Sequence, residues 1–243
     1  MTDGRISAER TYTERAIAYG EGKVLDVYRS RDHEVAPVVL FWHGSGPDER
    51  DVLDPLAHAI ARQGPIVVIP DWQSDNPAAP DQLRASIRFS LQGTARFGSD
   101  GKGVVIAGWS SGADAAVAIA LHPELVDGWR PRAVVGIAGG YDDSPFGRLG
   151  LSEAGPSASP IPTHLLHGSE DAVVSVERSR LTAGRLNAGG WPVVLEELPT
   201  DHAGIIGTEY DPYLRRCVPT HERAATEAKA HVGWRIAEVA AYR

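Results

Sequence analysis

Residues 103–121 read GVVIAGWSSGADAAVAIAL, and this stretch decides the fold. Residues 103–107 (GVVIA) form an apolar run, as expected of a strand covered on both faces. Ser111–Leu121 is a run of small residues of helical length, suited to close packing on a sheet. Between them stands Gly108-Trp109-Ser110-Ser111-Gly112, a G-x-S-x-G pattern centred on Ser110. The bare pattern arises by chance in chains rich in Gly and Ser. Its place between a strand and a helix is what gives it meaning. A sharp turn there would hold the serine on strained backbone, and side chains at positions 108 and 112 would collide with the neighbouring strand or helix. The hydroxyl would project at a helix N-terminus, whose amides favour a developing negative charge. Ser110 rather than Ser111 is the candidate nucleophile, because only Ser110 has glycine two residues away on both sides.

Working outward, strands and helices alternate. Residues 35–42 (VAPVVLFW) and 66–69 (IVVI) are further apolar runs, each expected to be a buried strand. Residues 48–63 place Val52, Leu56, Ala59 and Ile60 on one helical face, with Pro55 near the first turn. Residues 80–97 carry Leu83, Ile87 and Leu91 at helical spacing. Before them, residues 15–19 and Lys23–Ser30 flank Gly20-Glu21-Gly22 as a hairpin. After the serine motif come a strand at 133–138, a strand at 163–167, a helix at 175–188, a strand at Val193–Leu198 and a long amphipathic helix at 219–241. This pattern predicts an α/β fold, a mostly parallel sheet with helices on both faces. No composition break marks a second domain, so residues 1–243 are read as one. The Gly-, Pro- and Ser-rich residues 139–160 are long for a loop and are expected to form a short lid. Residues 205–220 are the other segment able to cover a site.

The chain has 243 residues, 24 Lys and Arg against 32 Asp and Glu, and a formal net charge of −8. That balance argues against nucleic acid or an anionic membrane as partner, since both demand a cationic face. One cysteine, Cys217, excludes an intramolecular disulfide and a cysteine-based zinc cluster. Residues 1–10 (MTDGRISAER) have no apolar core of the signal-peptide kind, and no apolar run reaches a membrane span. A soluble cytoplasmic protein is expected. No cofactor is implied. Gly44-Ser45-Gly46 fails as a dinucleotide fingerprint because Glu49 holds the third glycine position, and Lys102 is followed by Gly103 rather than Ser or Thr. No metal pattern is present.

In open α/β sheets ligands bind outside the carboxyl ends of the strands. A serine hydroxyl near neutral pH needs a base. Two histidines follow later strands: His167, opening His167-Gly168-Ser169-Glu170-Asp171, and His202, in the turn-rich loop after Val193–Leu198. His202 is the expected base. His221 and His231 lie on the terminal helix, and the remaining histidines precede the acid candidate or lie within elements. Asp171, between a strand end and a helix, is expected to orient the imidazole, ahead of Asp201 and Glu170. The small-residue turn His43-Gly44-Ser45-Gly46 follows the strand at 35–42. Its Gly44 and Ser45 amides, with that of Ser111, are expected to hold an oxyanion. Trp42, Trp72, Trp109 and Tyr141 lie beside strand ends and are read either as walls of an apolar pocket or as core.

With HGSG at 43–46, GWSSG at 108–112, HGSEDAVV at 167–174 and DHAG at 201–204, the chain resembles the α/β-hydrolase superfamily. The resemblance spans about residues 10–242 and is to the small serine esterase and dienelactone-hydrolase-like branch. The order Ser110, Asp171, His202 matches the order of that fold. Ser45 stands where the lipase-type turn has glycine. Serine stands where dienelactone hydrolases proper have cysteine, so that particular activity is not implied. The resemblance implies a serine hydrolase cleaving a carboxylic ester of a small to medium acyl group. An amidase or peptidase, a thioesterase or a lactonase shares the same triad, and a non-catalytic ligand-binding homologue shares the same scaffold. A histidine base implies a rate that rises with pH through one ionisation. The carboxylate raises that value and burial lowers it, so the limb is expected between about 5.5 and 7.5.

Overall fold

The computed structural model describes residues 11–20, 22–149 and 158–242. Its first strands, β1 (Thr11–Gly20) and β2 (Lys23–Ser30), are an antiparallel hairpin. Then follow β3 (Ala36–Trp42), α1 (Asp54–Ala61), β4 (Ile66–Pro70), α2 (Ala79–Gln92), β5 (Ser99–Trp109), α3 (Ser111–Leu121) and β6 (Val134–Ile137). A two-stranded ribbon, β7 (Asp143–Ser144) and β8 (Gly147–Arg148), precedes β9 (Thr163–Gly168), α4 (Glu177–Ala188) and β10 (Val193–Leu198). A second ribbon, β11 (Thr208–Asp211) and β12 (Arg216–Pro219), leads into α5 (Arg223–Ala241).

Eight strands form one sheet in the order β1-β2-β4-β3-β5-β6-β9-β10. Strand β2 runs antiparallel to β1 and β4, and the six strands from β4 to β10 pair in parallel. The central strands are apolar throughout because both faces are covered. In β3, Val38, Leu40 and Trp42 join one buried cluster while Val39 and Phe41 join the other. The first cluster takes Leu83 of α2, the alanines of α3 and Leu186 of α4; the second takes Leu56 of α1 and Ile236 of α5. Burying each of the Val, Leu, Ile and Phe side chains among them contributes about 1.5–3 kcal/mol. Alanines on α3 let its backbone approach β5 closely, which sets the depth of the turn joining the two.

Differences from the sequence reading have physical causes. The helix expected over 48–63 divides into a 3-10 turn, Arg50–Leu53, and α1, because Pro55 supplies no N–H and fits only in the first turn of α1. The helix expected over 80–97 ends at Gln92 and gives way to a 3-10 turn over Gly93–Phe97. The final helix starts at Arg223, where the Glu222 side chain accepts a bond from the Ala225 amide at 3.0 Å. The expected lid at 139–160 contains the ribbon of β7 and β8, and its residues 150–157 lie outside the described residues.

Candidate active site

The turn between β5 and α3 holds Ser110 at φ 55° and ψ −123°, a conformation non-glycine residues rarely adopt. The neighbouring glycines make it possible. A Cβ on Gly108 would lie 2.1 Å from the Gly112 carbonyl oxygen, and one on Gly112 would lie 2.2 Å from the Trp42 carbonyl oxygen. Both clashes are with backbone, which cannot swing aside. Gly112→Ala is therefore expected to cost at least about 3 kcal/mol of stability, read as a lowered melting temperature. A variant that melts with the parent would remove the close approach of α3 to β3. Backbone bonds pin the turn further: the Ser110 amide donates to the Ile137 carbonyl at 2.8 Å. Ser111 is the first residue of α3, so its amide has no intrahelical acceptor and is free to face a ligand.

His202 follows β10 and Asp171 follows β9, so both arise at the carboxyl edge of the sheet beside Ser110. The Nδ1–H of His202 donates to Oδ2 of Asp171 at 2.7 Å, which leaves Nε2 as the basic nitrogen. The Asp171 carboxylate has no exposed surface. Its Oδ1 accepts the amides of Val173 and Val174, each at 2.8 Å. Burial by itself would raise its pKa. Hydrogen bonds from His167, from His202 and from the Val174 amide outweigh that and hold it far below the usual carboxylate range. Asp201 is engaged by a different partner, its Oδ1 accepting the Gly204 amide at 2.6 Å.

Gly44 and Ser45 lie between β3 and α1, against the serine turn. A Cβ on Gly44 would meet the Trp109 ring at 2.8 Å, so only glycine lets the loop sit there. The hydroxyls of Ser45 and Ser111 share a hydrogen bond of 2.6 Å, which ties the loop to the start of α3. His43, unused in the sequence reading, is fully buried and donates from Nδ1 to the Gly44 carbonyl at 2.9 Å. Burial pushes its pKa down to about 4, so it stays neutral and keeps the loop in shape.

Ser45, Trp109, Ser110, Val173, His202, Tyr210 and Arg215 line one cleft of about 400 Å³. Trp109 is a wall of it: its Nε1–H donates to the His202 carbonyl at 3.0 Å and its ring lies 5.2 Å from the imidazole. The other aromatic candidates are core. Trp42 and Trp72 have no exposed surface, Trp42 donating to the Ser86 hydroxyl at 3.0 Å, and Tyr141 is 2% exposed. They point into the packed face of the sheet, whereas the cleft is walled by the ribbon of β11 and β12. Tyr210, Arg215, Arg216 and Cys217 of that ribbon were not singled out from sequence as site residues; only the general position of residues 205–220 pointed to them. A larger cavity of about 660 Å³ opens outside the amino ends of β6, β9 and β10, away from Ser110 and His202.

No protein-family model and no curated protein sequence matches the chain. Solved structures do. An esterase from the hyperthermophilic archaeon Pyrobaculum calidifontis superposes with a TM-score of 0.71 at 17% identity, over 96% of this chain and 87% of that one. Brefeldin A esterase, a bacterial homologue of human hormone-sensitive lipase, gives 0.67 at 18% identity, over 100% and 81%. Carboxyl esterase 2 of the fungus Tuber melanosporum gives 0.69 at 14% identity, over 99% and 89%. The chain has the α/β-hydrolase fold of these esterases. Among the described residues no helix is long and apolar enough to cross a membrane, and no group of three or more His, Cys, Asp or Glu is gathered for a metal.

Proposed function

We propose that this α/β-hydrolase-fold chain is a serine hydrolase that cleaves a carboxylic ester of a small to medium acyl group. The observation that carries the reading is the strained Ser110, set between two glycines no other residue can replace, in one cleft with a His202 oriented by a buried Asp171 anion. Backbone strain persists where the surrounding structure fixes it for use. In the proposed reaction Nε2 of His202 takes the Ser110 proton as Oγ attacks the ester carbonyl. The carbonyl oxygen, now an anion, is held by the amides of Ser111, Ser45 and Gly44. The imidazolium gives its proton to the leaving alkoxide, and the alcohol departs. Water, deprotonated by His202, then attacks the acyl-enzyme, and the collapsing intermediate frees the acid and returns the proton to Ser110. Esterase neighbours of the same fold and a cleft volume within the range of small-ligand sites support the reading.

A fluorophosphonate probe is expected to label Ser110, and p-nitrophenyl esters are expected to turn over fastest at short to medium chain length. Matched anilides, thioesters and lactones in the same assay separate the other chemistries open to such a triad. Failure of Ser110 to take the probe while any of these substrates is cleaved removes the serine mechanism.

The pH dependence has a definite sign. Protonation of Nε2 removes the base, so kcat/KM is expected to rise with pH through one histidine ionisation. Asp171, held far below the ordinary range, stays an anion throughout and adds no step. Asp114, in the first turn of α3, is pushed up to about 6 by burial and so titrates within the range of such a profile. Asp114→Asn removes it, and the limb is expected to persist. The proton transfers and oxyanion binding use side chains and amides only, so EDTA is expected to leave the profile unchanged. A limb that vanishes with Asp114, or a rate flat from pH 5 to 8, contradicts a histidine base.

A further inference from the structure

His167 is the other histidine at a strand end, and the reaction above gives it no role. It closes β9 beside Gly168, has no exposed surface, and contacts the same carboxylate as His202. Its Nε2 lies 2.9 Å from the Val174 carbonyl and 3.3 Å from Oδ2 of Asp171. Both neighbours only accept, so Nε2 carries the proton and is shared between them. Its Nδ1 lies 2.7 Å from the Ser179 hydroxyl on α4, which is free to donate. A chain of contacts thus runs from Ser179 through His167 to Asp171 and on to His202. Oδ2 of Asp171 faces two imidazoles while Oδ1 takes two amides, so this buried carboxylate meets donors on both oxygens.

We propose that His167 is a positioning residue, which fixes the Asp171 carboxylate and divides its charge between two imidazoles, so that His202 is oriented without being over-stabilised as imidazolium. The inference rests on the serine-hydrolase reading for its consequence, although the contacts stand without it. A carboxylate that gives part of its charge to a second donor is a weaker base toward the first. Removing the His167 N–H concentrates the charge of Asp171 on His202, which then holds its proton to higher pH. The other charged groups near the pair leave that sign unchanged when position 167 alone is altered. On the cleft side His202 shares its surroundings with Asp201, Glu49, Arg215 and Arg216. Behind His167, Glu197 of β10 is its register neighbour and is paired with Arg180.

The test compares His167→Leu, which removes the donor, with His167→Gln, which keeps an N–H at a similar reach. Two readouts are taken: the acidic limb of kcat/KM, and the titration of the His202 ring by proton NMR, which needs no substrate. His167→Leu is expected to raise both by about half a pH unit or more and to lower kcat about 10- to 100-fold. His167→Gln is expected to restore the parental titration. A folded Leu variant whose His202 titrates as in the parent, or a Gln variant shifted as far as Leu, overturns the proposal. If His167→Leu does not fold, Ser179→Ala decides, since it loosens only the far end of the chain. A smaller upward shift is expected there, and no shift overturns the proposal. Because the NMR titration is independent of turnover, loss of the serine-hydrolase reading and loss of the His167 role give different results.

Discussion

Ser110→Ala is expected to leave a folded protein whose kcat is lowered by a factor of about 10⁴–10⁶, the loss seen when a triad nucleophile is removed. The substitution deletes one oxygen and keeps the Cβ, so the clashes that fix Gly108 and Gly112 are untouched. Alanine meets the same strain at φ 55° as serine does, and the side chain is only partly buried. Stability should therefore match the parent. Ser110→Gly supplies a sharper contrast. It is equally inactive, but glycine relaxes the backbone, and a gain of about 1 kcal/mol or more in stability is expected. Ser111→Ala keeps the amide proposed to bind the oxyanion and loses only the hydroxyl bonded to Ser45, so a much smaller effect is expected. Initial rates with a p-nitrophenyl ester and thermal melts of all three variants check this. More than a tenth of the activity left in Ser110→Ala, or a dead Ser111→Ala beside an active Ser110→Ala, assigns the chemistry to another residue.

The central sheet was legible in the sequence because its strands are buried on both faces. A run such as VVLFW has no polar face to confuse its period, and the small-residue run of α3 left little choice but close packing on a strand. The edges were harder. Strands β11 and β12 are four residues each, half exposed, and lie in a segment rich in Tyr, Pro and Arg. Their pairing depends on docking beside the cleft and not on their own pattern, so sequence showed only that residues 205–220 were placed to cover something. The extra length of β5, from Ser99 instead of Gly103, has the same cause: Ser99 pairs across to Ala36, a tertiary contact with no local signal.

The candidate site divides along the same line. Ser110, Asp171 and His202 each follow a strand, and topology alone brings strand ends to one edge, so their order along the chain was informative before any distance was known. The residues that support them were less so. His43 and His167 are buried, and what a buried histidine does is set by which nitrogen meets which partner, a matter of ångströms. One signal was present: each stands at the carboxyl end of a strand, His43 just after β3 and His167 within β9, and each is followed by glycine. The tryptophans stayed open between pocket and core for a related reason. Nearness to a strand end says nothing about which face a ring takes, and Trp42 and Trp72 turned inward, whereas Trp109 was held at the cleft by its bond to the His202 carbonyl.

Asp171→Asn is expected to lower kcat about 10⁴-fold while Asp201→Asn lowers it less than about tenfold. The contacts around Asp171 decide how an amide would sit. Oδ1 accepts two backbone amides, from Val173 and Val174, so the asparagine must place its carbonyl oxygen there. Its NH₂ is then turned toward His202 and His167. Facing a donor, Nδ1 of His202 must give up its proton, and Nε2 takes it. The nitrogen needed as base is then a donor directed toward the cleft, and Ser110 loses its proton acceptor although no atom near it has moved. The lost negative charge also removes the stabilisation of the imidazolium that forms as Ser110 attacks. At Asp201 the side chain supplies an oxygen to the Gly204 amide, which asparagine still provides. Stopped-flow and steady-state rates with one activated ester, together with fluorophosphonate labelling rates, separate the two. Equal losses in the two variants, or a larger loss at Asp201, would transfer the orienting role to the residue adjacent to His202.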